Sequence, residues 1–254
     1  MILHHSVEGA GPRVLLLHPV GLDLTFLQTM AGQLASRYRV MCMDLRGHGC
    51  SPLMPLADGL ADYADDVQAT LVQADFAPCA VIGFSFGGMV AQALTLRHTA
   101  AVTALVPCAC PCTLTEAARR VAVARAQDAE QGGMAAVLEA TLERWFTPAF
   151  RDSGRDAAAR ERLLSDDPRG WGQGWRAIAR IDTLPLLPTL RMPALCIAGE
   201  LDKSSPPLAV RTIASAIPGA GFKVIAGAPH MLFIEQPQAV ARVVMSFLDA
   251  LAAA

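Results

Sequence analysis

Ser85 stands in Gly83-Phe84-Ser85-Phe86-Gly87, a G-x-S-x-G pattern, and Gly88 follows it. The apolar run Cys79–Phe84 leads into this pentapeptide and a helical pattern over Gly88–Leu96 leaves it. A sharp strand-to-helix turn requires neighbours without a Cβ. It lifts the serine hydroxyl above the strand end, at a helix N-terminus whose dipole favours developing negative charge. The plainer use of such a serine is an ordinary helix N-cap. A hydroxyl becomes a nucleophile only beside a base, and the base needs an orienting carboxylate. His230, in Gly227-Ala228-Pro229-His230, is the only histidine after His98; Asp202 closes Gly199-Glu200-Leu201-Asp202. The order Ser85, Asp202, His230 is the one that accompanies a strand–turn–helix nucleophile. Glu200 is the competing acid, nearer the end of its strand and ranked second. The bland alternative makes His230 a loop histidine and Asp202 a helix cap. Two backbone N–H groups are needed for the oxyanion. Phe86 supplies one, and the loop His18-Pro19-Val20-Gly21 supplies the other from Val20, because Pro19 has no N–H. The chemistry implied is acyl transfer to Ser85.

These groups have to be held by a scaffold, and the hydrophobic pattern describes one. Val14–His18, Val40–Asp44, Ala80–Phe84, Val102–Val106, Ala194–Ala198 and Phe222–Ala226 are strand-length apolar runs. Near-continuous apolarity suits parallel strands buried on both faces. Helical patterns over Thr25–Ser36, Leu60–Asp75, Gly87–His98, Pro207–Ala216 and Pro237–Ala250 alternate with them. The alternation predicts an α/β fold, a mostly parallel sheet with helices on both faces. Met1–Gly11 is expected to add an antiparallel edge hairpin through the Gly9–Pro12 turn, and Ala252–Ala254 to fray. In such a sheet Ser85, Asp202 and His230 share the C-terminal edge, where ligands bind.

The rhythm breaks over residues 108–192, which offer no convincing strand. Helical patterns there cover Thr115–Gln131, Met134–Phe146, Arg155–Leu164 and Trp171–Ile181, and all three tryptophans lie within the stretch. The expected organisation is a core of residues 1–107 and 193–254 with a helical lid of residues 108–192. Trp145 is the candidate to line the acyl pocket. An anionic substrate would call for a lid arginine, with Arg119, Arg120, Arg144 and Arg176 as candidates.

Other groups read as structural. Asp44-Leu45-Arg46-Gly47-His48-Gly49-Cys50-Ser51 lacks the spacing of a nucleotide loop; Asp44 and Arg46 should brace backbone, His48 should be structural, and His18 should brace the oxyanion loop. His4, His5 and His98 are expected in solvent. Cys108, Cys110 and Cys112 have i, i+2, i+4 spacing, which is not a paired zinc or redox motif. They are read as buried or loop thiols beside the pocket, with no metal site.

Composition narrows the partners. The 254 residues carry 21 Lys+Arg against 23 Asp+Glu, a net charge of −2, with 53% hydrophobic residues and a mean hydropathy of +0.36. Such a chain folds, and it presents no basic field for nucleic acid or anionic membrane. No run is apolar enough to span a bilayer and no secretory leader is visible. Seven cysteines, an odd number, suit a reducing, cytoplasmic setting. A small, largely uncharged organic partner is expected; the oligomeric state is open.

Taken together, the residues resemble the α/β-hydrolase superfamily over nearly the whole chain. His18–Gly21 is similar to that family's H-G-x-G oxyanion loop, Asp44–Ser51 to its D-x-R-G-x-G-x-S turn, and Gly83–Gly87 to its nucleophile elbow. Asp202 and His230 stand where the family keeps its acid and base, and Glu235 and Pro237 match an H-x-x-x-x-E-x-P continuation. More narrowly, Arg144–Phe150, Phe84–Val90 and Pro193–Asp202 resemble 3-oxoadipate enol-lactonases, enzymes of aromatic catabolism. This chain has Pro19-Val20-Gly21 where those lactonases carry Ser-Leu-Gly, and Phe86 where they favour Met. The resemblance implies a cofactor-free serine hydrolase acting on an ester or lactone through an acyl-enzyme. Carbon–carbon bond hydrolases and perhydrolases share the triad, and non-catalytic ligand-binding proteins share the fold. A haloalkane dehalogenase would have an Asp in place of Ser85.

Overall fold

The computed structural model describes residues 1–55 and 59–252. Among the described residues seven strands form one sheet: β1 (His5–Glu8), β2 (Arg13–Leu17), β3 (Arg39–Met43), β4 (Cys79–Phe84), β5 (Val102–Cys108), β6 (Leu195–Gly199) and β7 (Gly221–Ile225). Their spatial order is β1-β3-β2-β4-β5-β6-β7, and every pair is parallel except β1 with β3. The central strand β4 is buried along its whole length, as a strand covered on both faces must be. β7 is different: Gly221, Lys223 and Val224 are exposed, because it closes the sheet as an edge.

The antiparallel edge at the chain start is present, but it is not a hairpin with β2. β1 pairs with β3, His5 opposite Met43. The flanks of β2 are taken by β3 and β4, so the mostly exposed β1 is left the outer position. Gly9, at φ 75°, lets the chain turn close beneath the Tyr38 carbonyl on its way to β2.

Around the sheet lie α1 (Gln28–Leu34), α2 (Leu60–Gln73), α3 (Phe86–Arg97), α9 (Pro207–Ala216), α10 (Leu232–Glu235) and α11 (Pro237–Ala252). Of the tail expected to fray, Ala252 ends α11; residues 253–254 lie outside the described residues. Between β5 and β6 run α4 (Glu116–Gly132), α5 (Met134–Trp145), α6 (Pro148–Asp152), α7 (Ala157–Ser165) and α8 (Pro168–Ala179). The short α6 had no periodic signal long enough to read. It is set by Thr147, whose hydroxyl accepts the Phe150 N–H, with Pro148 in the first turn. The two ends of this insertion are tied together, since Thr113 bridges Asp182 and the Thr183 N–H donates to the Cys112 carbonyl at 2.8 Å. No helix among the described residues is long and apolar enough to cross a membrane.

Candidate active site

The sheet order decides which loops meet. After β2 the chain steps outward to β3; it then returns to the other flank of β2 as β4, where Leu17 sits beside Gly83. This is a topological switch point, where the loops following two neighbouring strands part and leave a crevice. The loop after β2 carries Val20, and the turn after β4 carries Ser85.

Ser85 has φ 52°, a left-handed conformation that costs a non-glycine residue about 1–3 kcal/mol. The surroundings enforce it. The Ser85 N–H donates to the Cys108 carbonyl at 2.8 Å, and the Gly88 and Met89 N–H groups donate back to the Ser85 carbonyl. A Cβ on Gly83 would run into the Gly87 carbonyl, and one on Gly87 into the Leu17 carbonyl. A Cβ on Gly88 would lie 2.6 Å from Cys110 Sγ. Gly83 and Gly87 are therefore demanded by the approach of backbone, and Gly88 by the Cys110 thiol together with the Gly83 carbonyl.

From this turn a chain of hydrogen bonds runs inward. His230 Nε2 lies 2.8 Å from Ser85 Oγ, and His230 Nδ1 lies 2.8 Å from Asp202 Oδ2. The other Asp202 oxygen accepts the N–H groups of Ser204 at 2.7 Å and Ser205 at 2.9 Å. All three side chains are buried. Ser85, Asp202 and His230 are thus brought together, from the ends of β4, β6 and β7. Glu200 is not with them: its carboxylate accepts the Gly227 N–H at 2.7 Å in an exposed turn.

Val20 and Phe86 flank Ser85. Phe86 is the first residue of α3, where an N–H has no intrahelical acceptor. Among the described residues the Val20 N–H also has no internal acceptor. Its direction is governed by His18. The Leu45 N–H donates to His18 Nε2 at 2.9 Å, so the proton of the neutral ring is on Nδ1, which donates to the Pro19 carbonyl at 2.7 Å. C=O and N–H of one trans peptide point opposite ways, so fixing the Pro19 carbonyl fixes the Val20 N–H. Burial lowers the pKa of His18 and keeps the ring neutral. His48, packed against it with ring centroids 5.3 Å apart, is lowered to about 3, chiefly by burial and then by His18.

The remaining groups brace the site. Asp44 accepts the N–H groups of Leu24 and Cys50, and Arg46 donates to buried Asp66 at 2.6 Å and to the Pro55 carbonyl. His4, His5 and His98, expected in solvent, are each engaged: His4 with Asp44, His5 with the Leu3 carbonyl and His98 with Asp65. Glu235 reaches across 88 residues to take the Thr147 N–H and hydroxyl. The Met231 N–H donates to the Trp145 carbonyl at 3.0 Å, which ties the histidine loop to α5.

Above Ser85 and His230 opens a cavity of about 250 Å³. Val20 and Met89 line it from the sheet side; Ala118, Trp145 and Ile178 line it from the inserted helices. Trp145, the residue expected to line an acyl pocket, is in this wall. The cysteines are not: Pro111 lines the cavity, but Cys108, Cys110 and Cys112 do not. Cys110 instead packs behind Gly88 and accepts from Gln92 Nε2. Burial raises the pKa of all three thiols. Of the candidate arginines, Arg119 holds the Ala179 and Ile181 carbonyls, Arg120 pairs with Glu116 and Arg176 with Glu130; Arg144 alone lines the cavity. Arg125 lines it too and was missed.

Comparison with known proteins shows the family. The model of the alpha/beta hydrolase family matches residues 14–243. The chain belongs to the alpha/beta hydrolase family. A pimeloyl-(acyl-carrier protein) methyl ester esterase of Chromobacterium violaceum is 32% identical over 98% of this chain and 99% of its own length. The 3-oxoadipate enol-lactonase 2 of Acinetobacter baylyi is 27% identical over 90% of this chain and 85% of its own. Among solved structures, the enol-lactonase of Burkholderia xenovorans superposes with a TM-score of 0.91 at 30% identity, covering 97% of this chain and 96% of that one. This hydrolase therefore resembles both esterases and lactonases.

Proposed function

We propose that this hydrolase cleaves a small-molecule carboxylic ester or lactone through an acyl-enzyme on Ser85, with 3-oxoadipate enol-lactone within the substrate range. The observation that carries the reading is the continuous relay from Ser85 Oγ through His230 to Asp202, with both links at 2.8 Å, opening into a largely apolar cavity. Ser85 Oγ attacks the acyl carbon while His230 Nε2 takes its proton. The developing oxyanion receives the N–H groups of Val20 and Phe86, neither of which has an internal acceptor among the described residues. Collapse of the tetrahedral adduct breaks the bond to the leaving oxygen, which His230 protonates. His230 then activates water for deacylation. Asp202 fixes the tautomer of His230 and stabilises the imidazolium. No step requires a cofactor.

In this reading residues 108–192 act as a lid. They complete the acyl pocket with Trp145, and Glu235 anchors them to the core of residues 1–107 and 193–254 through Thr147. The partner is a small molecule and the setting cytoplasmic. The test is turnover of p-nitrophenyl acetate. Ser85→Ala should abolish it, Asp202→Asn should reduce kcat by about 10⁴-fold, and Glu200→Gln should leave it within twofold of wild type. Wild-type rates from Ser85→Ala would end the assignment of the nucleophile. A large loss from Glu200→Gln with none from Asp202→Asn would move the acid.

A further inference from the structure

We propose that Arg125 of α4 and Arg144 of α5 form an anion subsite within the cavity above Ser85, and that it takes a carboxylate carried by the substrate. The proposal rests on the hydrolase reading above and adds the substrate class. Both side chains line the cavity that Ser85 and His230 line. Among the described residues neither has a carboxylate within salt-bridge reach, whereas Arg120, Arg151, Arg160 and Arg176 of the same inserted helices all do.

Arg125 is held rather than floppy. Its guanidinium lies 4.6 Å from the centre of the Trp175 ring, and Nη2 donates to Thr141 Oγ1 at 2.6 Å. This leaves donors over: Arg125 Nε and the indole N–H of Trp175 are buried without a partner. Buried donors without acceptors are costly, and a bound group that accepts from them relieves the cost. Charge points the same way. Burial, and after it the charge of Arg144, lowers the pKa of Arg125 to about 10. Two cations that repel each other in a partly desolvated cavity favour an anion between them. A carboxylate suits them, since its two oxygens accept several N–H groups at once. The rest of the wall, from Val20, Met89, Ala118 and Ile178, is apolar and suits a short methylene chain or a lactone ring between the carboxylate and the scissile carbonyl.

The test compares esters that differ only in the charged end. Monomethyl glutarate places the carboxylate on the acyl side, 4-acetoxybutanoate places it on the alcohol side, and methyl pentanoate and butyl acetate are the neutral counterparts. The wild-type protein should show kcat/KM about ten- to hundredfold higher for one carboxylated ester than for its neutral counterpart, from charge-assisted hydrogen bonds. The favoured member says which side of the ester carries the charge. Arg144→Met, on an exposed position, should bring that ratio near one, mainly through KM, and Arg125→Lys, which keeps the charge but loses the planar stack on Trp175 and the guanidinium fork, should lower it. Binding of the same esters to Ser85→Ala, read by calorimetry, gives the preference independently of turnover. If Ser85-dependent hydrolysis is present but neither charged ester is preferred, the subsite is refuted and the hydrolase reading survives. If no ester is turned over yet Ser85→Ala binds the charged ester and Arg144→Met removes that binding, the subsite stands and the hydrolase reading fails. Equal binding of charged and neutral esters refutes the subsite outright.

Discussion

Replacing His18 by Leu tests whether the Val20 N–H, the proposed oxyanion donor, is aimed by a fully buried side chain. His18 is fully buried and makes two hydrogen bonds, accepting from the Leu45 N–H and donating to the Pro19 carbonyl. Leucine fills the space and makes neither. The Pro19 carbonyl is then left only the Leu22 N–H at 3.3 Å, a weak hold, so the Pro19–Val20 peptide is free to swing. If the Val20 N–H is lost to the transition state, the barrier rises by about 3 kcal/mol, or about 10²-fold in kcat, with KM little changed. The orphaned Leu45 N–H costs about 1–3 kcal/mol of stability, and the melting temperature should fall by about 2–4 °C for each of these. His18→Asn offers a donor and an acceptor on a shorter stem and should fall between wild type and leucine. The assay is p-nitrophenyl acetate turnover with kcat and KM resolved, beside a circular-dichroism melt of each variant. A folded His18→Leu that keeps kcat within twofold of wild type refutes the lever.

Acid stability should be set by three buried groups with opposing signs. The folded-state pKa values of His18 and His48 are lowered by burial, the latter to about 3, so below pH 6.5 the unfolded chain binds protons that the native one does not, and stability falls by about 1.4 kcal/mol per pH unit for each histidine. Asp166 is raised to about 7, chiefly by burial that outweighs its pairing with Arg162, so between pH 7 and 3.8 the native state holds a proton the unfolded one has lost, and stability rises on acidification. Asp166→Asn should therefore steepen the loss between pH 6.5 and 4, read from urea midpoints; an unchanged slope would reject the assignment. Gly88→Ala sets a Cβ 2.6 Å from Cys110 Sγ and 2.9 Å from the Gly83 carbonyl and should cost about 1–3 kcal/mol in urea unfolding. Adding Cys110→Ala should recover part of that cost but not all of it, and no recovery would show that Cys110 is not the obstacle.

What could be read from the chain alone follows the range of the forces involved. The turn at Ser85 was legible because its glycines answer to backbone atoms a few residues away or on the adjoining strand. Asp202 and His230 were legible because each follows a short apolar strand, so their shared edge comes with the topology. The partner of β1 was not, since an exposed four-residue strand has no pattern that distinguishes β2 from β3. Nor was the grip of Glu235 on Thr147, which joins side chains 88 residues apart. Cys110 had been expected at the cavity for the right locality but the wrong face: Pro111 points to the cavity and the thiol backs Gly88. Arg125 did leave a signal. It shares a helical face with Ala118 and Ala122, at spacings of seven and three residues, and all three line the cavity. A net charge of −2 obscured it, because a sum over the chain is dominated by charges that cancel in pairs at the surface. What bears on recognition is the charge left without a carboxylate partner at the cavity, and among the described residues that is half-buried Arg125 with exposed Arg144 on the neighbouring helix.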